Sequence, residues 1–431
     1  MPMSGDFRRR LFPVLPEIAD HFGTPFHIYD ETGIRDTGKK LKACFSVTGN
    51  FKEFYAVKAL PNPRILEIMR DMGFGFDCSS IAELVLSRQT GARGEEIMFT
   101  SNNTTLADFE AALADGGSIL NLDDITLIDK LPQIPELISF RYNPGSRRTG
   151  NAIIGDPMEA KYGVSHDQIM DAYRKMRNLG STRFGLHTML VSNERNHEYM
   201  VETVKMLFDM VEEISGELGI TFEFINMGGG LGIPYRPEDA PLDIESMGDK
   251  ITGLYADFRA RHGAAPDLCM ESGRYMTGPH GALVTTAINE KNIYRRYVGV
   301  DASMSALMRP GMYGAYHHID VVDPSAPEAG VEKALDRPVH TVDVVGSLCE
   351  NIDKFAVHRD LPEVREGDFL VIHDTGAHGH AMGFNYNAKL RPKELMLNAD
   401  GSVSLIRREE TMADYFATLT FAENTLRPQG R

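Results

Sequence analysis

The sequence predicts an α/β protein: a (β/α)8 barrel followed by a second, β-rich barrel or sandwich. Three observations carry this. From about residue 50 to 275, eight short apolar runs alternate with segments of helical period. That length is close to the roughly 250 residues of a closed eight-fold barrel. After about residue 280 the strand-like runs follow one another with turn residues between them and few helical periods, as expected of a separate β-rich unit. A chain of 431 residues also exceeds what one hydrophobic core usually holds. An open doubly wound sheet shares the alternation and is the alternative on pattern alone.

The expected barrel strands are Glu53–Val57, Phe74–Asp77, Ile97–Thr100, Ser118–Leu122, Leu137–Tyr142, Arg183–His187, Thr221–Met227 and Leu268–Glu271. Helical spacing falls on Asn62–Met72, Ile81–Thr90, Thr105–Ala114, His166–Leu179 and Tyr199–Leu218. In the last of these Met200, Val204, Leu207, Val211, Ile214 and Leu218 recur every three or four residues. In the second unit, strands are expected at Ala282–Ala287, Tyr297–Val300, Val339–Val345, Asp368–His373, Glu394–Leu397 and Val403–Arg407. Pro25–Tyr29 precedes the barrel and can pair into that unit, and Asp323–Asp336 reads as a surface loop. The expected division is a barrel over 36–280 and a β-rich domain from 1–35 and 281–431.

The net charge of −16 argues against a nucleic-acid or anionic-membrane partner. No apolar run reaches the length of a membrane span, and no signal-peptide pattern opens the chain. Four cysteines without a CxxC pair fit a reducing compartment, and a cytoplasmic location is expected.

Reactive residues of a barrel enzyme gather at the C-terminal ends of its strands. Those ends carry Lys58, Asp77, His187, the Gly228-Gly229-Gly230 run and Glu271. A lysine leaving an apolar strand is expected to have a lowered pKa and to serve as a nucleophile toward a carbonyl. Adjacent glycines after a strand let backbone amides approach an anion. The run is not a dinucleotide fingerprint, because the third glycine is missing and Pro234 follows. Glu271 and Arg274 place a carboxylate and a guanidinium three residues apart. Arg309 with Tyr313 can bind a carboxylate, and Cys349-Glu350 sets a thiol beside an acid. His317-His318 and the histidines of His373–His380 invite a metal reading, but their glycines act as turn formers and no metal is expected.

Together these residues resemble the fold-type III decarboxylases that use pyridoxal 5′-phosphate, and within them the diaminopimelate decarboxylases. The motifs appear in that family's order: Tyr55-Ala56-Val57-Lys58-Ala59 with Asn62-Pro63, Gly228-Gly229-Gly230-Leu231-Gly232, Glu271-Ser272-Gly273-Arg274, Arg309-Pro310 with Tyr313, Cys349-Glu350 and Asn385-Tyr386-Asn387. The resemblance spans about residues 20 to 420. It implies that Lys58 carries the cofactor, His187 stacks on its ring, Glu271 pairs with the ring nitrogen, and the glycine run and Tyr386 hold the phosphate. It implies carboxylate or phosphate binding by Arg274, Arg309 and Tyr313, with Tyr386 also near the substrate and Asp77 on the barrel floor near Lys58. Cys349, as proton donor, and Glu350, at the distal end of the substrate, are implied to come from the partner of a homodimer. The implied reaction is decarboxylation of meso-2,6-diaminopimelate to L-lysine.

Two departures stand out. Where the family has His-x-Gly-Ser-Gln, this chain reads His187-Thr188-Met189-Leu190-Val191-Ser192-Asn193, so either Ser192 supplies the displaced hydroxyl or the phosphate relies on other groups. Cys349-Glu350 is followed by Asn351-Ile352-Asp353 rather than Ser-Gly-Asp. The alternatives are a related decarboxylase acting on carboxynorspermidine, ornithine or arginine, an amino-acid racemase, and a non-catalytic carrier of the same cofactor.

Overall fold

The computed structural model describes residues 3–49, 51–326 and 330–420. Strand β1 (Phe26–Asp30) leads into the second sheet, and the chain then builds the barrel. Its strands are β2 (Phe51–Ala56), β3 (Gly75–Cys78), β4 (Gly94–Phe99), β5 (Ser118–Leu122), β6 (Leu137–Asn143), β8 (Arg183–Thr188), β9 (Phe222–Asn226) and β10 (Asp267–Met270), with a two-residue β7 (Val164–Ser165) beside β6. All pair in parallel. The ring closes because β10 pairs with β2 and β5 with β6, so the closed barrel and not the open sheet is the architecture.

The barrel is filled from inside by Phe54, Met98, Ile119, Leu137, Phe224 and Cys269. Gly185 is needed opposite Phe224, since a Cβ there would lie 2.1 Å from the ring. Polar residues collect above this layer, at the C-terminal mouth.

The second sheet runs β15-β14-β12-β11-β1-β17-β18, with β16 joined to β11 and β13 to β16. Its strands after β1 are β11 (Gly281–Asn292), β12 (Arg296–Val300), β13 (Ile319–Val322), β14 (Val339–Val345), β15 (Lys354–Pro362), β16 (Phe369–Ile372), β17 (Lys393–Leu397) and β18 (Val403–Arg407). Strand β1 lies antiparallel to β11 and parallel to β17, so the N-terminal run does join the C-terminal half.

Several elements were not expected from the sequence. Helix Glu31–Phe45 carries two glycines and two threonines, poor helix formers. It forms because Ile34, Gly38, Leu41 and Phe45 make one buried face, with Gly38 against the sulfur of Met72. The helices Gly5–Leu11 and Leu15–Phe22 bury Phe7, Leu11, Leu15 and Ile18 on the second sheet. The helix Ile244–His262 buries Met247, Ile251, Tyr255 and Phe258 at helical spacing. Strand β15 holds His358, Arg359 and Asp360, a charged run suited to the sheet edge it occupies. The expected loop Asp323–Asp336 contains a helix, Gly330–Leu335, and its positions 327–329 lie outside the described residues.

Candidate active site

A cavity of about 1100 Å³ opens at the C-terminal mouth of the barrel. Of the expected site residues, Lys58, Asp77, Gly229, Gly230, Glu271, Arg274, Arg309 and Tyr313 line it. Lys58 reaches into this space with its Nζ 3.6 Å from Asp77 Oδ2. Burial would lower the lysine pKa, but Asp77 and Glu271 outweigh it and raise the value above the ordinary one. The expected lowering is therefore corrected: the strand end is apolar in sequence, yet two carboxyl groups converge on it in space. Burial in turn pushes the Asp77 carboxyl upward, reinforced by Glu271.

The turn that carries Lys58 is held from the second sheet. His378 N donates to Ala59 O at 2.9 Å, and Arg407 Nη2 to Pro61 O at 2.9 Å. Asn62 Nδ2 donates to Glu394 Oε2 at 3.1 Å and to Ile406 O at 3.2 Å. Buried Glu394 also accepts from Tyr29 Oη at 2.6 Å and from Arg407.

Glu271 is fixed on two sides. Its Oε1 accepts from Asn226 Nδ2 at 2.8 Å, and its Oε2 lies 3.0 Å from His187 Nε2, which must carry the hydrogen. Burial would raise its pKa, but His187, Lys58 and Arg141 bring it below the usual carboxylate value, so it stays ionised. His187 itself does not line the cavity, and its Nδ1 is buried without a partner among the described residues.

The glycine run threads between strand ends with no room for side chains. Gly228 and Gly230 have φ of 72° and 101°, and a Cβ at Gly230 would lie 2.5 Å from Val191 O. The amides of Gly229 and Gly230 donate to no described residue and border the cavity, as an anion nest requires. Ser192 lies on the same wall, its Oγ 3.4 Å from Arg274 Nη2. Arg274 also donates to Tyr235 Oη. Arg309 Nε donates to His317 Nε2 at 3.4 Å. Neither guanidinium has a carboxylate partner among the described residues. Burial and the neighbouring Arg274 hold the Arg309 value below its ordinary one, the condition of a cation awaiting a counter-ion.

Cys349, Glu350 and Tyr386 do not line this cavity. Cys349 is exposed; its Sγ donates to Asn387 Oδ1 at 3.3 Å and to Tyr386 Oη at 3.7 Å. Cys349 and Glu350 push the Tyr386 pKa up to about 12. Tyr386 therefore stands apart from the phosphate position expected for it: left-handed Asn387 and Ala388 (φ 53° and 56°) place its turn beside Cys349. Asp353, in the second departure, faces inward, accepting from Met304 N at 2.6 Å and Leu348 N at 2.8 Å, and so fixes the Cys349 turn.

The sequence reading missed Arg141 and Tyr235 and weighed His378 only as a metal ligand; all three are on the cavity wall. Arg141, whose Nε donates to Asp123 Oδ1 at 2.6 Å, sits at the end of β6 and was readable by the strand-end rule. Tyr235 and His378 come from loops and carried no such signal. Among the described residues no cluster is placed to hold a metal ion, and no helix is long and apolar enough to cross a membrane.

A lysine amine, free backbone amides and guanidiniums without a carboxylate partner among the described residues, in one barrel mouth, define a class: enzymes that hold a phosphorylated cofactor through a lysine. The donor set fits such a group, with an ionised carboxylate at Glu271 for a protonated ring nitrogen and a nest with Arg274 for a phosphate. Residues 33–278 match the pyridoxal-dependent decarboxylases, over their pyridoxal-binding domain, and the chain belongs to this family. It is 45% identical over 415 residues to Protein TabA of Pseudomonas amygdali pv. tabaci, with 96% of each chain covered. It is 38% identical to a diaminopimelate decarboxylase of Methanothermobacter thermautotrophicus, covering 92% of each. Diaminopimelate decarboxylase from M. jannaschii, in a crystal structure with L-lysine, superposes with a TM-score of 0.85 at 28% identity, covering 95% of this chain and 94% of that one. The protein is a lyase, an amino-acid decarboxylase dependent on pyridoxal 5′-phosphate.

Proposed function

We propose that the protein converts meso-2,6-diaminopimelate to L-lysine and carbon dioxide, the last step of lysine biosynthesis, in the cytoplasm. The observation that carries this is the pair Arg274 and Arg309, both in the Lys58 cavity and both without a carboxylate partner. One guanidinium serves the cofactor phosphate. The other is left for a carboxylate that the reaction does not remove, which diaminopimelate possesses and ornithine or arginine lacks. The relatives named diaminopimelate decarboxylase support the same reading.

Pyridoxal phosphate, when bound, supplies a ring that accepts the electron pair left as carbon dioxide departs. Lys58 would hold it, Glu271 keep the ring nitrogen protonated, His187 fix Glu271, and Gly229, Gly230, Ser192 and Arg274 bind the phosphate. Arg309 and Tyr313 would bind the retained carboxylate. Asp77 governs the proton on Lys58 Nζ.

We further propose a homodimer in which Cys349 and Glu350 enter the partner's cavity, with the β-rich domain on either side of the barrel segment supplying the interface. Their exposure, with Tyr386, Met312, Tyr313 and Ile352 also exposed, supports this. Cys349 Sγ would return a proton to the α carbon.

The deciding experiment offers meso-diaminopimelate, L-ornithine, L-arginine and carboxynorspermidine separately and measures carbon dioxide and product. Lysine from diaminopimelate at a kcat/KM at least 100-fold above the others is expected. Carbon dioxide from another substrate but none from diaminopimelate overturns the substrate assignment.

A further inference from the structure

Among the described residues six histidines are buried: His27, His187, His280, His317, His373 and His380. Each makes a hydrogen bond, to Ala306 O, Glu271, Thr37, His373 O, Asp320 and Pro392 O respectively. His378 is different. It is half-buried on the cavity wall, and its imidazole bonds to no described residue. A polar ring left unpaired at the edge of a cavity is ready for a partner that enters it.

Its position is fixed before any ligand arrives. His378 has a left-handed backbone (φ 58°), a conformation that most side chains disfavour. The loop is pinned at both ends: Thr375 N donates to Gly281 O at 2.9 Å, and His378 N to Ala59 O at 2.9 Å, one residue past Lys58. Between these points it lies directly on the helix Arg274–Thr277, since a Cβ at Gly376 would sit 2.0 Å from Thr277 O. The backbone that carries the imidazole is thus held between the lysine turn and the arginine helix.

The charged groups that face it are all cations: Arg274 from its short helix, Arg309 from the helix Arg309–Tyr313, and Lys58 from the turn after β2. Burial and these three cations hold its pKa well below the ordinary value, so the ring is neutral in the free protein. An anion placed among them reverses the local field, and in a partly desolvated site that change favours the imidazolium.

We propose that His378 is an anion-binding residue of this cavity, taking a proton from solvent when a phosphate or carboxylate enters beside Arg274 and Arg309. The proposal rests on the cavity being the cofactor and substrate site. Protonation gives the ring a second N–H donor and makes it a third cation against the anion. Binding of the anion is therefore coupled to proton uptake, and affinity falls as pH rises.

The test is calorimetry on the cofactor-free full chain at pH 7.5 in two phosphate-free buffers of different ionisation enthalpy, which counts protons taken up per ligand bound. His378→Asn is the main variant because asparagine tolerates the left-handed backbone, and His378→Gln is the second. Wild type should take up as much as one proton more than either variant on binding pyridoxal phosphate. The variants should bind it about 10-fold more weakly at pH 6.5, with the gap closing by pH 9. Pyridoxal and inorganic phosphate separate the two anion sources in the first step. L-lysine added to the cofactor-loaded protein tests a carboxylate source. Excess uptake with the phosphate ligands assigns His378 to the phosphate, and excess uptake only with lysine assigns it to the carboxylate. Equal proton counts in wild type and variants for every ligand, or no uptake by wild type should the variants not fold, overturn the proposal. A merely structural role lowers the melting temperature without changing the count. Failure of lysine to bind, with the cofactor arm intact, counts against the proposed substrate and not against His378.

Discussion

The amine of Lys58 must lose a proton before it can attack a carbonyl, and Asp77 opposes that loss. The free protein should therefore take up pyridoxal phosphate faster as pH rises toward and beyond the ordinary lysine value. Asp77→Asn removes the principal group that raises the lysine pKa, so its rate should reach half-maximum at a lower pH than that of wild type. Stopped-flow absorbance of cofactor uptake measures this; an unmoved profile would show that Asp77 does not govern the Lys58 proton. Lys58→Ala should remove both the borohydride-sensitive absorbance band and activity. Glu271→Gln should keep the band and lose roughly 100-fold or more in kcat, since an amide does not stabilise a protonated ring nitrogen.

The turn between β2 and the helix Pro63–Asp71 is where the two sheets meet the chemistry. Asn62 caps that helix by accepting from Arg64 N at 3.0 Å, and its amide donates to buried Glu394. Asn62→Ala should cost about 1 kcal/mol for the cap alone, with a further loss from the tie to Glu394. Asn62→Asp keeps an equally good cap but sets a second carboxylate against Glu394. It should be the less stable of the two, the reverse of the capping order, and thermal melts of the two variants decide. At the element scale the sequence was legible where a strand or helix satisfied its own pattern. Ser118–Leu122 and Val403–Arg407 fall at the expected residues because short apolar runs and flanking turns define them locally. Helix Glu31–Phe45 and edge strand β15 were not legible, because neighbouring elements, rather than propensity, hold them in place.

Across the whole molecule, buried titratable groups set opposing pH limits. Burial lowers His27 and His280 to about 4. These histidines are neutral when folded, so their contribution is complete above the ordinary histidine value and is lost as pH falls from about 6.5 toward 4. Burial raises Asp374 to about 7. Its folded form holds a proton that the unfolded chain releases, so stability falls as pH rises from about 4 through 7. Asp374→Asn should therefore gain in melting temperature relative to wild type between pH 5 and pH 8; a pH-independent difference would contradict this. The proposed dimer belongs to the same scale. Mixing Lys58→Ala with Cys349→Ala subunits should restore activity, up to about one quarter of wild type for random exchange if each site draws on both chains. No recovery under confirmed subunit exchange would place both residues in one chain's site.

By itself the sequence determined the two-part architecture and the barrel strand ends, which follow from local periodicity and from which residue stands at the end of each apolar run. The cofactor chemistry was what the ordered motifs' resemblance to a known family implied. Only the tertiary structure decided that the Lys58 pKa is raised and that His378, not Tyr386, shares its cavity. It also decided that Arg274 and Arg309 stand together without a counter-ion. Such properties arise from groups distant in sequence that a closed barrel and a second sheet bring to one mouth, and no spacing along the chain encodes their separation in space.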